Sequence, residues 1–153
     1  MPMLTGALAP QPANRTEIIM SFGWTYDLAA GTYPLFNVPA GYVVDELVTV
    51  VTQAFDATSP SATTGDGSDV DGYQDNIDIA LNVAASATVP ALKRSRNSGN
   101  PYANGKLYTE DDTVDVVWDP GTSGTTGIIK GWARLVPLIE LGLSQTATVL
   151  LKT

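Results

Sequence analysis

The sequence predicts an all-β fold, a jelly-roll-like antiparallel β-sandwich of about eight strands. Runs rich in β-branched and aromatic residues recur along the chain, separated by clusters of Gly, Pro, Asn, Asp and Ser. No segment keeps the hydrophobic period of an amphipathic helix beyond about two turns. Hydrophobic residues make up 44% of the chain and charged residues only 16%, so Thr, Ser and Asn must cover much of a turn-rich surface.

The chain of 153 residues predicts one domain preceded by an arm. Residues 1–15 contain Pro2, Pro10 and Pro12, which remove backbone donors and favour extended conformations. We therefore expect an extended N-terminal arm, followed by the sandwich at 16–153. Two interpretations of the arm stay open: a frayed terminus, or a segment that packs on a neighbouring subunit through its apolar side chains.

Three strands are predicted in the first third of the domain. Residues 16–22 form the first, which we expect to end at the turn Gly23-Trp24. Residues 32–38 form the second, where Pro34 is consistent only with an edge strand or a bulge. Residues 42–55 form the longest strand, and their imperfect alternation indicates that it is bent or covered in part on both faces.

Further along, two stretches have the composition of loops and five have the pattern of strands. The predicted loops are 56–72 and 94–105. The predicted strands are 76–83, 106–108, 113–118, 128–138 and 146–151.

The last hairpin predicts the place of two tryptophans. Val114, Val116 and Trp118 share one face of their strand, and residues 119–124 are expected to connect it to the returning strand that carries Trp132. Trp118 and Trp132 would then be core neighbours across the hairpin. The alternative is that they are sugar-stacking platforms. Trp24, placed in a turn, is the better candidate for an exposed contact.

Composition also excludes classes of function. The chain has no His and no Cys, so it has no Ser-His triad, no thiolate nucleophile and no zinc site of the usual ligands. The adjacent acids Asp45 and Glu46 point to opposite faces of one strand and do not make a glycosidase pair. With 8 Lys plus Arg against 16 Asp plus Glu, the formal charge is -8, which disfavours nucleic-acid binding. We predict a protein that is not an enzyme and binds no nucleic acid.

Neither a membrane span nor a cofactor is predicted. No apolar run approaches the length of about 18 residues that a membrane helix requires, and the first residues lack the pattern of a signal peptide. The acidic stretch from Asp66 to Asp78 imitates part of a calcium-binding loop, but it has no Glu at the twelfth position of any register. We interpret these acids as turn caps and assign no metal, although calcium stays an open alternative.

A short basic cluster completes the set of candidate contacts. Lys93, Arg94 and Arg96 are either part of a solvated loop or a contact with acidic groups, on a partner or on another copy of the chain. The candidate partner-interface residues are therefore Met3, Leu4, Leu8, Pro10, Pro12, Arg15, Trp24, Lys93, Arg94 and Arg96.

The order of several segments resembles a known family. An extended strand at 38–52 leads to Phe55-Asp56, a Gly-Asp-Gly loop follows at 65–67, and Asp71-Gly72-Tyr73 ends that loop. Residues 108–116 and 124–136 fit the second half of the pattern. This order is similar to that of capsid decoration (cement) proteins and related small β-structured virion proteins of tailed bacteriophages.

The resemblance implies a structural role and a place. It implies a jelly-roll subunit, often a homotrimer, that is made in the host cytoplasm, binds the major capsid protein on the capsid exterior and reinforces the head. It transfers no catalytic residue. The alternative is a carbohydrate- or receptor-binding sandwich of a phage fibre or tail.

Overall fold

The computed structural model describes residues 16–75, 77 and 91–138. Within them the chain forms eight strands and one short 3₁₀ turn at Ser95–Asn97. The strands are β1 Ile18–Thr25, β2 Gly31–Val38, β3 Tyr42–Gln53, β4 Ser61–Gly65, β5 Ala91–Arg94, β6 Lys106–Tyr108, β7 Asp112–Asp119 and β8 Ile128–Pro137. In this part of the chain, no helix is long and apolar enough to cross a membrane.

The strands form two antiparallel sheets that pack face to face. Sheet A has the order β1-β8-β3-β5, with β6 also paired to β3, and sheet B has the order β2-β7-β4. The first strand pairs with the last, the second with the one before it, and β3 pairs with β6. Such nested pairs wrapped over one core make a jelly roll, so the predicted all-β sandwich is confirmed.

The core lies between the sheets and is rich in aromatic rings. Trp118 of β7 is 1% exposed and meets Trp24 and Phe55 edge-on, with ring centroids 5.9 Å and 5.4 Å away. Its indole Nε1 donates to the carbonyl oxygen of Leu28 at 3.0 Å, which satisfies the one polar group of the ring. Val114 and Val116 are buried on the same side of β7, so the predicted inward face of this strand is confirmed.

Strand β2 confirms the expectation for its proline. It lies at one edge of sheet B, where a missing donor costs nothing, and its register with β7 shifts between Pro34 and Phe36. The shift keeps Phe36 opposite Val114, and both side chains are buried.

Strand β3 is bulged and apolar on both faces, as its imperfect alternation indicated. Its register with β8 shifts between Val44 and Glu46, so the single alternation expected for the whole strand breaks at Asp45. Val44 and Leu47 therefore both face the core. The buried Ser95 accepts the Leu47 N–H through its Oγ at 3.0 Å.

Two predictions about strand limits are wrong. Strand β1 does not end at Gly23-Trp24, because Trp24 continues the inward alternation that begins at Ile18 and β1 extends to Thr25. The predicted loop at 56–72 contains β4, whose Ala62 and Thr64 face the core although the segment has the composition of a turn.

The predicted hairpin between β7 and β8 is also wrong, because the two strands belong to different sheets. Trp118 lies opposite Gly31 and Ala62, whereas Trp132 lies opposite Ser21 and Val48. The two tryptophans are therefore not cross-strand neighbours.

Some predicted segments fall outside the described residues. These are the arm at 1–15, the strand at 146–151 and most of the strand at 76–83. Of the last, Ile77 is described, and its N–H donates to the Ala62 carbonyl at 3.1 Å. The predicted loop at 94–105 begins at the end of β5 and includes the 3₁₀ turn.

Close packing on β8 predicts the effect of a single methyl group. A Cβ at Gly131 would overlap the Phe22 ring and the Val48 carbonyl, whereas a Cβ at Gly67 would meet nothing within 4 Å. We expect Gly131→Ala to lower the free energy of unfolding by about 1–3 kcal/mol and Gly67→Ala to leave it nearly unchanged. Urea denaturation of both variants measures this free energy. Equal stabilities would contradict the close packing of Gly131 against Phe22 of β1 and Val48 of β3.

Candidate interaction surface

The outer face of sheet A is defined by residues that lie opposite one another in its ladders. Directly opposed residues of antiparallel strands share a face. Three rows cross the sheet on the side away from the core. They are Ile19, Arg134 and Glu46; Ser21, Trp132, Val48 and Arg94; and Gly23, Lys130, Val50 and Leu92. Beyond these rows, Leu107 of β6 lies opposite Val43.

This outer face carries exposed apolar side chains. Ile19, Leu92 and Leu107 are 58%, 55% and 40% exposed. Val48, at the centre of the face, is fully buried between the ladder positions of Trp132 and Arg94. A strand that is apolar on both sides is expected to be covered on both sides.

A charged network lies beside the apolar residues. Arg96 donates to Asp45 Oδ2 at 2.6 Å, Arg134 donates to the same oxygen, and Arg94 donates to Glu46 Oε1 at 2.9 Å. The hydrogen bond that Arg134 donates to Asp45 raises the pKa of Arg134. Asp45 can reach two guanidinium groups because the bulge in β3 lies at this residue.

The predicted basic cluster is therefore ion-paired within its own chain. Lys93 pairs with Asp75 at 3.6 Å, and the side chains of Arg94 and Arg96 stay 42% and 47% exposed beside their carboxylates. The predicted contact with acidic groups on a partner or on another copy of the chain stays a prediction. Exposed guanidinium groups on this face still offer unused donors to a partner.

Trp24 was expected to make an exposed contact, and this is wrong. Its side chain is 7% exposed and packs in the core against Phe22 and Trp118. Trp132, which sequence reasoning placed in the core, is partly exposed on the outer face of sheet A. The sequence did contain a signal for this position. Trp132 is two residues from Lys130, so both lie on the same face of β8, and a charged residue marks the solvent side of a strand.

Charge is divided unequally between the two sheets. In the described part of the chain, every Lys and Arg lies on sheet A or on the 3₁₀ turn that follows β5. Strands β2, β4 and β7 contain none, and β7 contributes three aspartates. The outer face of sheet B is lined mainly by Thr and Asp.

A buried carboxylate joins the two sheets at one end of the sandwich. Asp66, just after β4, is 1% exposed, and its Oδ2 accepts Lys106 Nζ and, at 2.9 Å, the hydroxyl of Tyr108. Its Oδ1 accepts the amides of Ser68 and Asp69 at 2.9 Å and 3.1 Å. Burial opposes ionisation, but these donors outweigh it and lower the pKa of Asp66.

The predicted acidic loop is thus a structural element. The turn-cap interpretation holds for Asp66, whose two oxygens are filled by donors of its own chain and are not free for a cation. A hydrogen bond with Asp69, together with the repulsion of its negative charge, raises the pKa of Asp71. Among the residues with described positions, no group of three or more potential ligands could hold a metal ion.

Two buried tyrosines and a glutamine extend this polar link. Tyr73 and Tyr108 share a hydrogen bond of 2.9 Å, and burial raises the pKa of both phenols. Gln74, fully buried, accepts the hydroxyls of Thr49 and Thr64 at 3.1 Å and 3.3 Å. Because Thr49 belongs to sheet A and Thr64 to sheet B, one amide connects the two.

Comparison with known proteins shows the fold. No family model matches the chain, and no curated protein matches it. A chain in the acidic stable capsid structure of Helicobacter pylori bacteriophage KHP30 superposes with a TM-score of 0.60 at 15% identity, over 80% of this chain and 89% of that one. A chain of the capsid asymmetric unit of cyanophage Pam1 superposes with a TM-score of 0.57 at 14% identity, over 84% and 91%.

The fold is that of chains in two phage capsids. Because each alignment covers most of both chains, the neighbours are of about the same size and the shared fold extends over most of this chain. This agrees with the resemblance to phage virion proteins that the segment order suggested.

The buried ion pair between Asp66 and Lys106 predicts that removing the charge of Asp66 lowers the stability of the fold. We expect Asp66→Asn to lower the free energy of unfolding by about 2–3 kcal/mol, because Lys106 loses its counter-ion in a largely desolvated site. The matched control Asp71→Asn removes an exposed carboxylate and should cost little. Chemical denaturation compares the two, and equal losses would contradict the role given to Asp66.

Acid stability is predicted from a second aspartate. Asp56 accepts the hydroxyl of Thr125 and the amides of Thr125 and Thr126, which lowers its pKa to about 2. A depressed pKa contributes stability that is full above the unfolded value near 4 and is lost as the pH falls towards 2. The melting temperature of Asp56→Asn should therefore lie below that of the parent at pH 7 and approach it between pH 4 and 2. A difference in melting temperature that stays constant from pH 7 to pH 2 would contradict the stabilising role given to the hydrogen bonds of Asp56.

Proposed function

We propose that this chain is a structural virion protein, a decoration (cement) protein that binds the outside of a phage head and stabilises it. The observation that carries the proposal is the likeness of most of this chain to chains of two phage capsids. The site supports it, because the acids with described positions are ion-paired, capping or exposed, and a partly apolar sheet face suited to contact is the most distinctive surface of the described residues. Its partner is the major capsid protein.

The chain acts as a homotrimer on the capsid. Capsid lattices repeat the same surface around symmetry axes, so a trimer at a threefold position makes each weak contact three times. Linked contacts of this kind raise the overall affinity well above that of one subunit. The chain is made in the host cytoplasm and is used on the capsid exterior.

Binding to a carbohydrate or receptor is the second candidate function, as in a fibre or tail protein. Burial of Trp24 removes the residue first favoured for it, but Trp132 is partly exposed on a sheet face and could stack on a sugar ring. Glycan-array binding that disappears in Trp132→Ala would favour this function. Absence of glycan binding would remove it.

The decoration role predicts saturable binding to heads. Purified heads that lack this chain should bind it at a fixed number of copies and should rupture at a higher temperature when saturated. Co-sedimentation and thermal release of DNA measure both quantities. A chain that does not sediment with the heads would contradict the proposed function.

The N-terminal arm is proposed as part of the contact with the capsid. Deleting residues 1–15 should weaken binding to heads by about tenfold or more, which corresponds to about 1.4 kcal/mol, while the circular dichroism of the sandwich stays unchanged. A full-length variant with Met3, Leu4 and Leu8 changed to Ser separates apolar contact from chain length. Unchanged affinity in both variants would contradict a role for the arm.

A further inference from the structure

The outer face of sheet A is built to be covered. Its central strand places the half-buried Val43 and Val50 and the fully buried Val48 on the side away from the core, together with the charged Glu46. A strand that faces solvent would carry mostly polar residues there. Leu92 and Leu107 extend this apolar area to the edge formed by β5 and β6, and both are exposed. In the described part of sheet B the outward positions are mainly Thr, Ser and Asp, with Val117 as an exposed apolar side chain.

The charges around this face select what can cover it. Three arginines on or beside it are 38–47% exposed, and Lys130 of the same face has no ion pair in the described part of the molecule. A partner must therefore present acidic groups together with some apolar surface.

The chain itself carries a surface of that kind. We define the acidic strip as Glu110 and Asp111, which precede β7, Asp112 at the first position of that strand, and Asp115 on its outer side. None of these four carboxylates forms an ion pair within the described residues. Val117, on the same side of β7, adds an exposed apolar side chain. A cleft of about 360 Å³ lies beside the strip.

Electrostatics then decides between the possible contacts of two copies. Each copy carries a formal charge of -8, so a contact of acidic strip with acidic strip is repulsive. A contact between two outer faces of sheet A sets arginines that are already paired with Asp45 and Glu46 against an identical set, and gives Lys130 no new carboxylate. Among the described residues, pairing of the outer face with the acidic strip joins exposed cations to carboxylates that have no ion pair, and that contact is heterologous.

We infer that the outer face of sheet A binds the acidic strip of a second copy of this chain. The inference rests on the proposed trimer and names its interface. A heterologous contact repeated around a threefold axis closes a ring in which every face and every strip is occupied. Leu92, Arg94 and Lys130 of one copy meet the acidic strip of the next.

Two variants and a matched control test the interface. Leu92→Asp adds a carboxylate to the outer face, and the double variant Glu110→Lys with Asp115→Lys reverses the strip. Val70→Asp is the control, because Val70 is as exposed as Leu92, at 55%, but lies in the loop after β4. By light scattering coupled to gel filtration, the parent and Val70→Asp should be trimers and both interface variants monomers.

Mixing the two interface variants distinguishes a heterologous contact from a symmetric one. Each variant keeps one intact surface, so an equimolar mixture should form a 1:1 dimer and no trimer. Circular dichroism melts identify any variant that fails to fold. The parent chain also allows a test without substitutions. Raising NaCl from about 0.05 M to about 0.5 M should increase the dissociation constant of the trimer at least tenfold, since salt screens exposed charges.

Several results would overturn the inference. They are a trimer of Leu92→Asp, a mixture that stays monomeric although both variants are folded, a salt-independent trimer, or a monomeric parent chain. A monomeric parent that still binds heads would overturn this interface and leave the decoration role standing. A parent trimer that responds to the variants as expected but binds no heads would support this interface and contradict the decoration role.

Discussion

The ion pair between Asp66 and Lys106 is the interaction on which the end of the sandwich depends. It joins a residue that follows β4 in sheet B to a strand of sheet A, in a chain with no cysteine to form a disulfide. A buried ion pair adds little net stability, because desolvation of the charges offsets their attraction, but breaking it is costly. We interpret it as a device that fixes how the two sheets meet. The loop that follows Asp66 packs tightly at the same end, because Gly72 lies so close to the Tyr102 ring that a Cβ would overlap it.

The bulge in β3 links the core to the surface. It returns Leu47 to the core and at the same place directs Asp45 towards Arg96 and Arg134 on the outside. Of the other outward positions of β3, Val43, Val48 and Val50 are apolar and Glu46 is charged. One irregularity of the backbone thus produces both a filled core and a surface with apolar and charged parts side by side. That combination suits a subunit that docks on others, because apolar area supplies affinity and charge selects the partner.

Local patterns in the sequence predicted much of the fold. The inward face of β7, the bulge at Pro34 and the double-sided burial of β3 are visible in the alternation of single segments. Strand β4 was missed because its Ser, Thr and Gly have the composition of a turn, and only burial by β7 makes it a strand. Trp24 was misplaced because glycine often marks the end of a strand, whereas β1 continues through Gly23 to Thr25.

Long-range pairing could not be predicted in the same way. The partner of Asp66 lies 40 residues away, and nothing near Asp66 in the sequence identifies Lys106 as that partner. The ion pairs of Arg94 and Arg96 depend on the register between β3 and β5, which the sequence does not specify. The assignment of β7 and β8 to different sheets likewise follows from the packing of the whole jelly roll.

Cryo-electron microscopy of the virion whose genome encodes this chain tests the central claim most directly. The account predicts that this jelly roll fits density on the outer surface of the head, in contact with the major capsid protein and grouped in threes. Density for the chain only in a tail or fibre, or its absence from the particle, would contradict it.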